Sequence, residues 1–259
     1  MKNLSFVILF LCIFPLTVYA EIHSEVLEYK DGELILEGYL AYDDATKTQR
    51  PGIIVVHDWM GLGPFVLEKT QQLAKMGYIA LGIDIYGKGV RPKDSQEASQ
   101  QASLYKNDRP LMRQRAQAGF DVLKKYSLTD KTKMAAIGYC FGGTVVLEMA
   151  RSGLNLAGVV SFHGGLSTPH PEDTQKIKAK VLVLHGADDP FVPQEEVADF
   201  QKEMNQANVD WQMIYYSGAV HSFTNPSALD DPSKGAAYQE RADQRSWQAM
   251  QHLFDEIFK

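Results

Sequence analysis

The sequence predicts an α/β protein with a mostly parallel β-sheet, helices on both faces of the sheet and an N-terminal β-hairpin. Short runs that are apolar throughout, such as residues 53–56 and 181–185, have the pattern of strands buried on both faces. These runs alternate with segments whose apolar residues recur at helical spacing, as in parallel sheets with helical crossovers. Asp31 and Gly32 separate two alternating runs, residues 26–29 and 33–40, which is a strong hairpin signal.

The remaining elements follow from the same patterns. Strands are predicted over residues 53–56, 79–84, 134–138, 156–162, 181–185 and 211–216. Helices are predicted over residues 65–76, 109–126, 143–151, 197–205 and 238–258. The polar segment 88–106 fits either a helix or a loop over the site. Ligands of parallel sheets bind beyond the carboxyl ends of the strands, so residues at those ends are the candidates for function.

The composition is that of a globular domain and argues against a nucleic-acid-binding protein. The chain has 259 residues, 45% of them hydrophobic and 22% charged, which is ordinary for a globular domain. A formal net charge of -6 argues against a nucleic-acid-binding protein, which needs a clustered basic face. The length fits one large α/β domain.

The first twenty residues have the pattern of a secretory signal peptide. Lys2 precedes an apolar run over residues 4–18, and Val18-Tyr19-Ala20 resembles a cleavage site. The alternative is an uncleaved membrane anchor, for which the run is short. We expect export to a periplasm or the exterior, no stable membrane span after cleavage, and a single domain over residues 21–259. Cys140 would then be the only cysteine left.

The clearest chemical signal is the segment Gly138-Tyr139-Cys140-Phe141-Gly142-Gly143, which follows a predicted strand and begins a predicted helix. This is the nucleophile-elbow pattern of the α/β-hydrolase fold, with cysteine in place of serine. The turn places the thiol at a helix N-terminus, where the reactive thiolate is favoured. The alternative is a glycine-rich turn that merely holds a buried cysteine.

An acid and a base follow the nucleophile in the order that this fold requires. Asp189 lies in the loop after the strand 181–185, and His221 lies in the loop after the strand 211–216. We expect His221 to exchange protons with Cys140, and Asp189 to orient its imidazole. Asp188 is the rival acid, and each residue alone also fits a surface or turn position.

The loop after the first buried strand carries His57-Asp58-Trp59-Met60-Gly61. In this fold such a loop supplies one oxyanion-hole donor, and the residue after the nucleophile supplies the other. The backbone N–H groups of Trp59 and Phe141 are therefore the candidates. The alternative for Trp59 is core packing.

Together these motifs resemble the dienelactone hydrolase family over nearly the whole chain after residue 20. The resemblance is carried by residues 57–62, 84–87, 138–143, 189–193 and 221–223. It implies a single-domain α/β-hydrolase with a Cys140-His221-Asp189 triad, no cofactor and no metal. It also implies action on carboxylic-ester or lactone bonds of a small molecule, as in carboxymethylenebutenolidases.

The sequence departs from the family pattern at positions that concern substrate. A glutamate that contacts the resting cysteine in the family is matched here by the shorter Asp58. Of two arginines that hold a substrate carboxylate, one falls near Lys88 and Arg91, and the other is matched by Asn225. Asparagine cannot form the charged, bidentate contact of arginine, so an anionic lactone fits this pocket less well.

Two further residues at strand ends, Tyr86 and His163, are candidates for the substrate pocket, with a structural role as the alternative. A thioesterase or acyl transferase uses the same triad and stays open as a function. A non-catalytic binding or redox-sensing protein is a third hypothesis, based on the lone thiol of Cys140. The sequence does not indicate an oligomeric state.

Overall fold

The computed structural model describes residues 21–228 and 230–259, so the signal segment predicted over residues 1–20 lies outside the described residues. The strands are β1 (Ile22–Asp31), β2 (Leu34–Asp43), β3 (Arg50–Val56), β4 (Ile79–Ile83), β5 (Thr129–Tyr139), β6 (Gly158–Phe162), β7 (Lys180–Gly186) and β8 (Trp211–Tyr216). The α-helices are α1 (Pro64–Lys75), α2 (Ser95–Asn107), α3 (Arg109–Lys125), α4 (Phe141–Arg151), α5 (Gln194–Gln206) and α6 (Glu240–Ile257). Two short 3-10 helices cover Pro171–Lys176 and Pro232–Lys234.

All eight strands form one sheet in the order β1-β2-β4-β3-β5-β6-β7-β8. The pairs from β4 through β8 are parallel, whereas β1, β2 and β4 pair antiparallel. The predicted fold class and N-terminal hairpin are therefore confirmed. The strand order brings the hairpin directly beside β4, so residues of β2 lie close to the loop that follows β4.

Alternate residues of the central strands enter two separate apolar cores. On β3, Ile54 and Val56 belong to a core that also contains residues of α2, α3, α4 and α5, whereas Ile53 and Val55 belong to a core that also contains residues of α1 and α6. A strand buried on both faces gives a continuous apolar run, because successive side chains point to opposite faces. This packing explains why the central strands were readable from the sequence.

The polar segment that the sequence left open contains a helix. Asp94 caps α2 by accepting a hydrogen bond from the N–H of Glu97 at 2.9 Å, and Glu97 accepts in return from the N–H of Lys93 at 3.0 Å. The apolar face of α2 is narrow, since its buried residues are Ala98, Ala102 and Tyr105. None of the helices in the described part of the chain is long and apolar enough to cross a membrane.

Candidate active site

The turn between β5 and α4 holds Cys140 in a backbone conformation that few residues adopt. Its φ is 54° and its ψ is -113°, outside the regions favoured by residues with a side chain. Such a conformation costs about 1–3 kcal/mol and persists only where the surroundings impose it. It leaves the thiol partly exposed at the N-terminus of α4, as expected of a nucleophile elbow.

Two glycines allow the sharp turn because the chain passes too close for a side chain. A Cβ atom at Gly138 would lie 2.0 Å from the carbonyl oxygen of Gly142. A Cβ atom at Gly142 would lie 2.3 Å from the carbonyl oxygen of Val56, at the end of β3. The turn is therefore packed against the loop that follows β3.

Asp189 and His221 meet beyond the ends of β7 and β8. Nδ1 of His221 donates a hydrogen bond to Oδ2 of Asp189 at 2.8 Å, and the other carboxylate oxygen accepts from the N–H of Phe191 at 2.9 Å. The Asp189 side chain is fully buried. The His221 backbone is held on both sides, since its N–H donates to Gly235 and its carbonyl accepts from Ala237.

The rival acid has a different environment. Asp188 is exposed, and its backbone N–H donates to the carbonyl oxygen of Ala219. Of the two aspartates, Asp189 is the one whose carboxylate forms a hydrogen bond with the imidazole of His221. The geometry therefore favours Asp189 as the orienting acid.

The charge state of His221 follows from its neighbours. Burial of the ring favours the neutral form, but the charge of a Cys140 thiolate and the hydrogen bond to Asp189 act in the opposite direction. Together they raise the pKa of His221 from 6.5 to about 10. At neutral pH the imidazolium is thus stable beside a thiolate at Cys140.

His57 holds the first candidate oxyanion donor in place. Its Nδ1–H donates to the carbonyl oxygen of Asp58 at 2.6 Å, and its Nε2 accepts from the N–H of Ile85 at 3.1 Å. Burial lowers the pKa of His57 to about 4, so the ring is neutral. Because the carbonyl of the Asp58–Trp59 peptide is fixed, its N–H group is fixed as well.

The second candidate donor, the N–H of Phe141, belongs to the first residue of α4. Within residues 21–228 and 230–259, neither this group nor the N–H of Trp59 donates to a protein acceptor. Free N–H groups at a helix N-terminus favour negative charge. Both donors are therefore available to an oxygen of a substrate.

Asp58 and Tyr86 lie beside these groups. Burial raises the pKa of Asp58, while a hydrogen bond from the N–H of Met60 and the positive charge of His221 oppose that rise. Burial and the negative charge of Cys140 raise the pKa of Tyr86 well above its usual range. The Tyr86 hydroxyl donates to the carbonyl oxygen of Trp59 at 3.1 Å, so it braces the loop that carries the candidate donor.

The two cations proposed for the substrate pocket are bound to carboxylates of the hairpin. Nζ of Lys88 donates to Glu28, and Nη2 of Arg91 donates to Glu37 at 2.9 Å. Arg91 also donates to the carbonyl of Val90 at 2.8 Å. Both charges are therefore compensated within the protein.

Asn225, the third residue considered for binding a substrate carboxylate, forms hydrogen bonds within a local turn. Its side-chain Oδ1 accepts from the N–H of Ser227 at 2.9 Å. Its backbone N–H donates to the carbonyl oxygen of Ser222 at 3.0 Å. The amide of Asn225 carries no charge, so it adds no cation to the site.

His163 is almost fully buried, and both of its ring nitrogens have protein partners. Nδ1 accepts from the N–H of Cys140 at 3.2 Å, and Nε2 lies 2.8 Å from Oγ1 of Thr224. It lies behind Cys140, and neither ring nitrogen is left free for a substrate. Sequence reasoning missed the roles of His57 and Thr224, because these roles depend on Ile85 and His163, which lie on other segments of the chain.

Three loops that follow strands of the parallel sheet each carry an exposed apolar side chain. Trp59 and Val90 are each 37% exposed, and Phe191 is 58% exposed. The Phe191 ring lies 5.5 Å from that of His221. A groove of about 580 Å³ along α5 contains none of the triad residues. In the described part of the chain, no group of three or more His, Cys, Asp or Glu residues is placed to bind a metal ion.

Comparison with known proteins yields related hydrolases. The model of the dienelactone hydrolase family matches residues 36–258. A solved dienelactone hydrolase-like promiscuous phosphotriesterase from metagenomic libraries is 38% identical, with a TM-score of 0.88 over 93% of this chain and 100% of that chain. A putative carboxymethylenebutenolidase from Aquifex aeolicus is 25% identical over 85% of this chain and 96% of its own length. The structure of a putative dienelactone hydrolase from Klebsiella pneumoniae, 20% identical with a TM-score of 0.72, has the same fold.

Proposed function

This chain belongs to the dienelactone hydrolase family and is a hydrolase of ester or lactone bonds, and we propose that Cys140, His221 and Asp189 form its catalytic triad. The observation that carries the proposal is the hydrogen bond of 2.8 Å between His221 and Asp189, beside a cysteine with a φ of 54° at a helix N-terminus. A nucleophile, a base and an orienting acid are the groups that acyl transfer requires.

The proposed reaction has two halves. The Cys140 thiolate attacks the ester carbonyl, and the N–H groups of Trp59 and Phe141 stabilise the oxyanion. His221 donates its proton to the leaving alcohol, and an acyl-cysteine remains. His221 then takes a proton from water, whose oxygen attacks the thioester carbon, so that the acid is released and the thiolate returns.

The family resemblance implies that Asp58 contacts the resting cysteine, whereas in the described residues its carboxylate accepts a hydrogen bond from the N–H of Met60 at 2.8 Å. Burial raises the pKa of Asp58 and the positive charge of the His221 imidazolium lowers it, so the two groups interact. We infer that Asp58 influences the thiolate–imidazolium pair of the resting enzyme. A full negative charge there stabilises the imidazolium and disfavours a thiolate nearby.

The proposal is tested with the two neighbouring aspartates. Asp189→Asn is expected to lower kcat for p-nitrophenyl acetate by about 10³–10⁴-fold, because the imidazole loses its orienting carboxylate. Asp188→Asn is the matched control, since this exposed residue has no contact with the imidazole, and it is expected to stay within about twofold of wild type. Equal losses in both variants would contradict the assignment of the acid. A panel of thioester donors in the same assay distinguishes hydrolysis of esters from thioesterase or acyl-transferase activity.

We propose that the preferred substrate is a small neutral ester or lactone. This follows because Lys88 and Arg91 are bound to glutamates, and Asn225 replaces a cation. A charge-assisted hydrogen bond contributes about 1.5–3 kcal/mol, so its absence disfavours an anionic substrate by roughly 10- to 100-fold. We expect kcat/KM to be higher by this factor for p-nitrophenyl acetate than for p-nitrophenyl succinate. Asn225→Arg is expected to narrow the gap, and equal values in the wild type would contradict the proposal.

A second candidate activity is the cleavage of phosphotriesters. It is favoured by the 38% identity and full-length coverage of the promiscuous phosphotriesterase. The two N–H donors that would stabilise a carbonyl oxygen can also stabilise a phosphoryl oxygen. Release of p-nitrophenol from a neutral p-nitrophenyl dialkyl phosphate measures this activity, and its loss in Cys140→Ala is expected if both reactions share one nucleophile.

We also propose that the chain is exported, on the sequence of residues 1–20 alone. N-terminal sequencing of the protein from its host is expected to begin at Glu21. A protein that retains Met1 and stays in the cytoplasmic fraction would contradict export.

A further inference from the structure

His163 stands where the two halves of the proposed triad meet. It directly follows β6, has a φ of 41°, and its backbone N–H donates to the carbonyl oxygen of Leu184 on β7 at 2.8 Å. Only 2% of the residue is exposed. A left-handed φ is uncommon for a residue with a side chain and is tolerated where the surroundings fix it.

The partners of the ring define its tautomer. The N–H of Cys140 donates to the carbonyl oxygen of Phe162 at 3.0 Å and also to Nδ1 of His163 at 3.2 Å, so Nδ1 accepts and carries no proton. The proton of the neutral ring therefore lies on Nε2, which donates to Oγ1 of Thr224 at 2.8 Å. Burial and the positive charge of His221 hold the pKa of His163 well below its usual range, in agreement with a neutral ring.

The same ring also packs against the catalytic base. Its centroid lies 5.2 Å from that of His221 in an edge-to-face arrangement, and 5.0 Å from that of Phe223. His163 thus contacts the nucleophile elbow through one nitrogen. It contacts the segment carrying the base through its other nitrogen and through its ring.

We propose that His163 is a positioning residue that sets the separation of Cys140 and His221. It does so through two hydrogen bonds, one from the N–H of Cys140 to Nδ1 of His163 and one from Nε2 of His163 to Oγ1 of Thr224. The inference rests on the proposed function, because the separation of Cys140 and His221 affects catalysis only if both belong to the triad. The neutral tautomer is essential, since a protonated ring would lose the bond to Cys140 and would repel the imidazolium of His221. Thr224 is fully buried, so its hydroxyl is kept for this contact.

The test uses variants that remove one bond at a time in the full-length protein. Thr224→Val keeps the shape of the side chain and removes the acceptor of Nε2–H, whereas Thr224→Ser keeps the hydroxyl. His163→Asn is shorter: it retains an acceptor in the position of Nδ1 but does not reach Thr224. Thr224→Val leaves the buried Nε2–H of His163 without an acceptor, and His163→Asn loses the contact with Thr224. We therefore expect each variant to lower kcat by about 10- to 100-fold, with KM within about twofold of wild type.

A second readout needs no ester substrate. The rate at which iodoacetamide alkylates Cys140 is measured against pH, because it reports the thiolate–imidazolium pair directly. We expect Thr224→Val and His163→Asn to shift the midpoint of this profile, and Thr224→Ser to restore both the profile and kcat. The double variant is expected to be no worse than either single variant, since one series of contacts is broken in each.

Three results would overturn the proposal. One is a wild-type kcat and alkylation profile in a folded Thr224→Val. Another is an equal loss in Thr224→Ser and Thr224→Val. The third is a fall in kcat that is matched by a fall in Tm while the alkylation profile is unchanged, which is the pattern of a purely structural contact. If His163→Asn does not fold, the comparison of the two Thr224 variants decides. Absence of ester hydrolysis in the wild type would contradict the proposed function, whereas the alkylation profiles would still test the positioning role.

Discussion

Cys140→Ala is expected to lower kcat/KM for p-nitrophenyl acetate by about 10⁴-fold or more, because the reaction loses its nucleophile. The variant is expected to fold normally. Alanine also carries a Cβ atom, so it bears the same backbone strain at a φ of 54° as cysteine does. Rates are measured together with Tm, and mass spectrometry of the quenched reaction is expected to detect an acyl group only on the wild type. Retention of the wild-type rate in Cys140→Ala would rule out Cys140 as the nucleophile.

The same variant reports how strongly Cys140 and His221 interact. The pKa of His221 is raised to about 10 in part by the charge of the thiolate, and alanine removes that charge. We expect the His221 imidazole signal in NMR to titrate near pH 10 in the wild type and at clearly lower pH in the variant. An unchanged His221 titration would mean that the charge of Cys140 does not contribute to the pKa of His221.

Gly138→Ala is expected to destabilise the fold by at least about 3 kcal/mol, or to prevent folding. The added Cβ atom would lie 2.0 Å from the carbonyl oxygen of Gly142, and no side-chain rotation relieves a contact with backbone. Gly63→Ala is the matched control. Gly63 has a φ of -127°, and its Cβ atom would have no neighbour nearer than 3.7 Å.

The free energy of unfolding is measured with urea for both glycine variants. Gly63→Ala is expected to cost less than about 1 kcal/mol, the scale of an altered helix N-cap. If Gly138→Ala unfolds at the urea concentration of the wild type, the tight approach of the elbow to its own helix is incorrect. Such a result would also weaken the assignment of Cys140 to a strained turn.

The central sheet was predictable because its strands are buried on both faces and their apolar runs stand out. The start of β5 was not, since Thr129 and the polar residues that follow it carry no apolar pattern. These residues pair with the beginning of β3, and a register shift between Pro51 and Gly52 accommodates them. For α2 the sequence does not decide between a helix and a loop, although Asp94 and Glu97 form a recognisable cap, because its small buried residues give weak periodicity.

The positions of the candidate site residues were predictable to the extent that they lie in local motifs. The elbow around Cys140 and the order of Asp189 and His221 are properties of the chain. The partners of Lys88 and Arg91 are not, because only the pairing of β2 with β4 brings the hairpin glutamates to them. The same holds for His163, whose partner Thr224 lies 61 residues away. Contacts of this kind follow from strand order, which no local pattern specifies.

Some residues near the proposed triad are buried and others are exposed, and this difference has a consequence for how the enzyme can evolve. His57, His163 and Thr224 are buried, and each holds a backbone or side-chain group of the site, so substitution there alters reactivity and stability together. Trp59, Val90 and Phe191 are exposed, and substitution of exposed side chains usually changes stability little. Selection for activity on a new ester can therefore change these exposed residues one at a time, while the proposed triad and the buried residues that hold it stay unchanged.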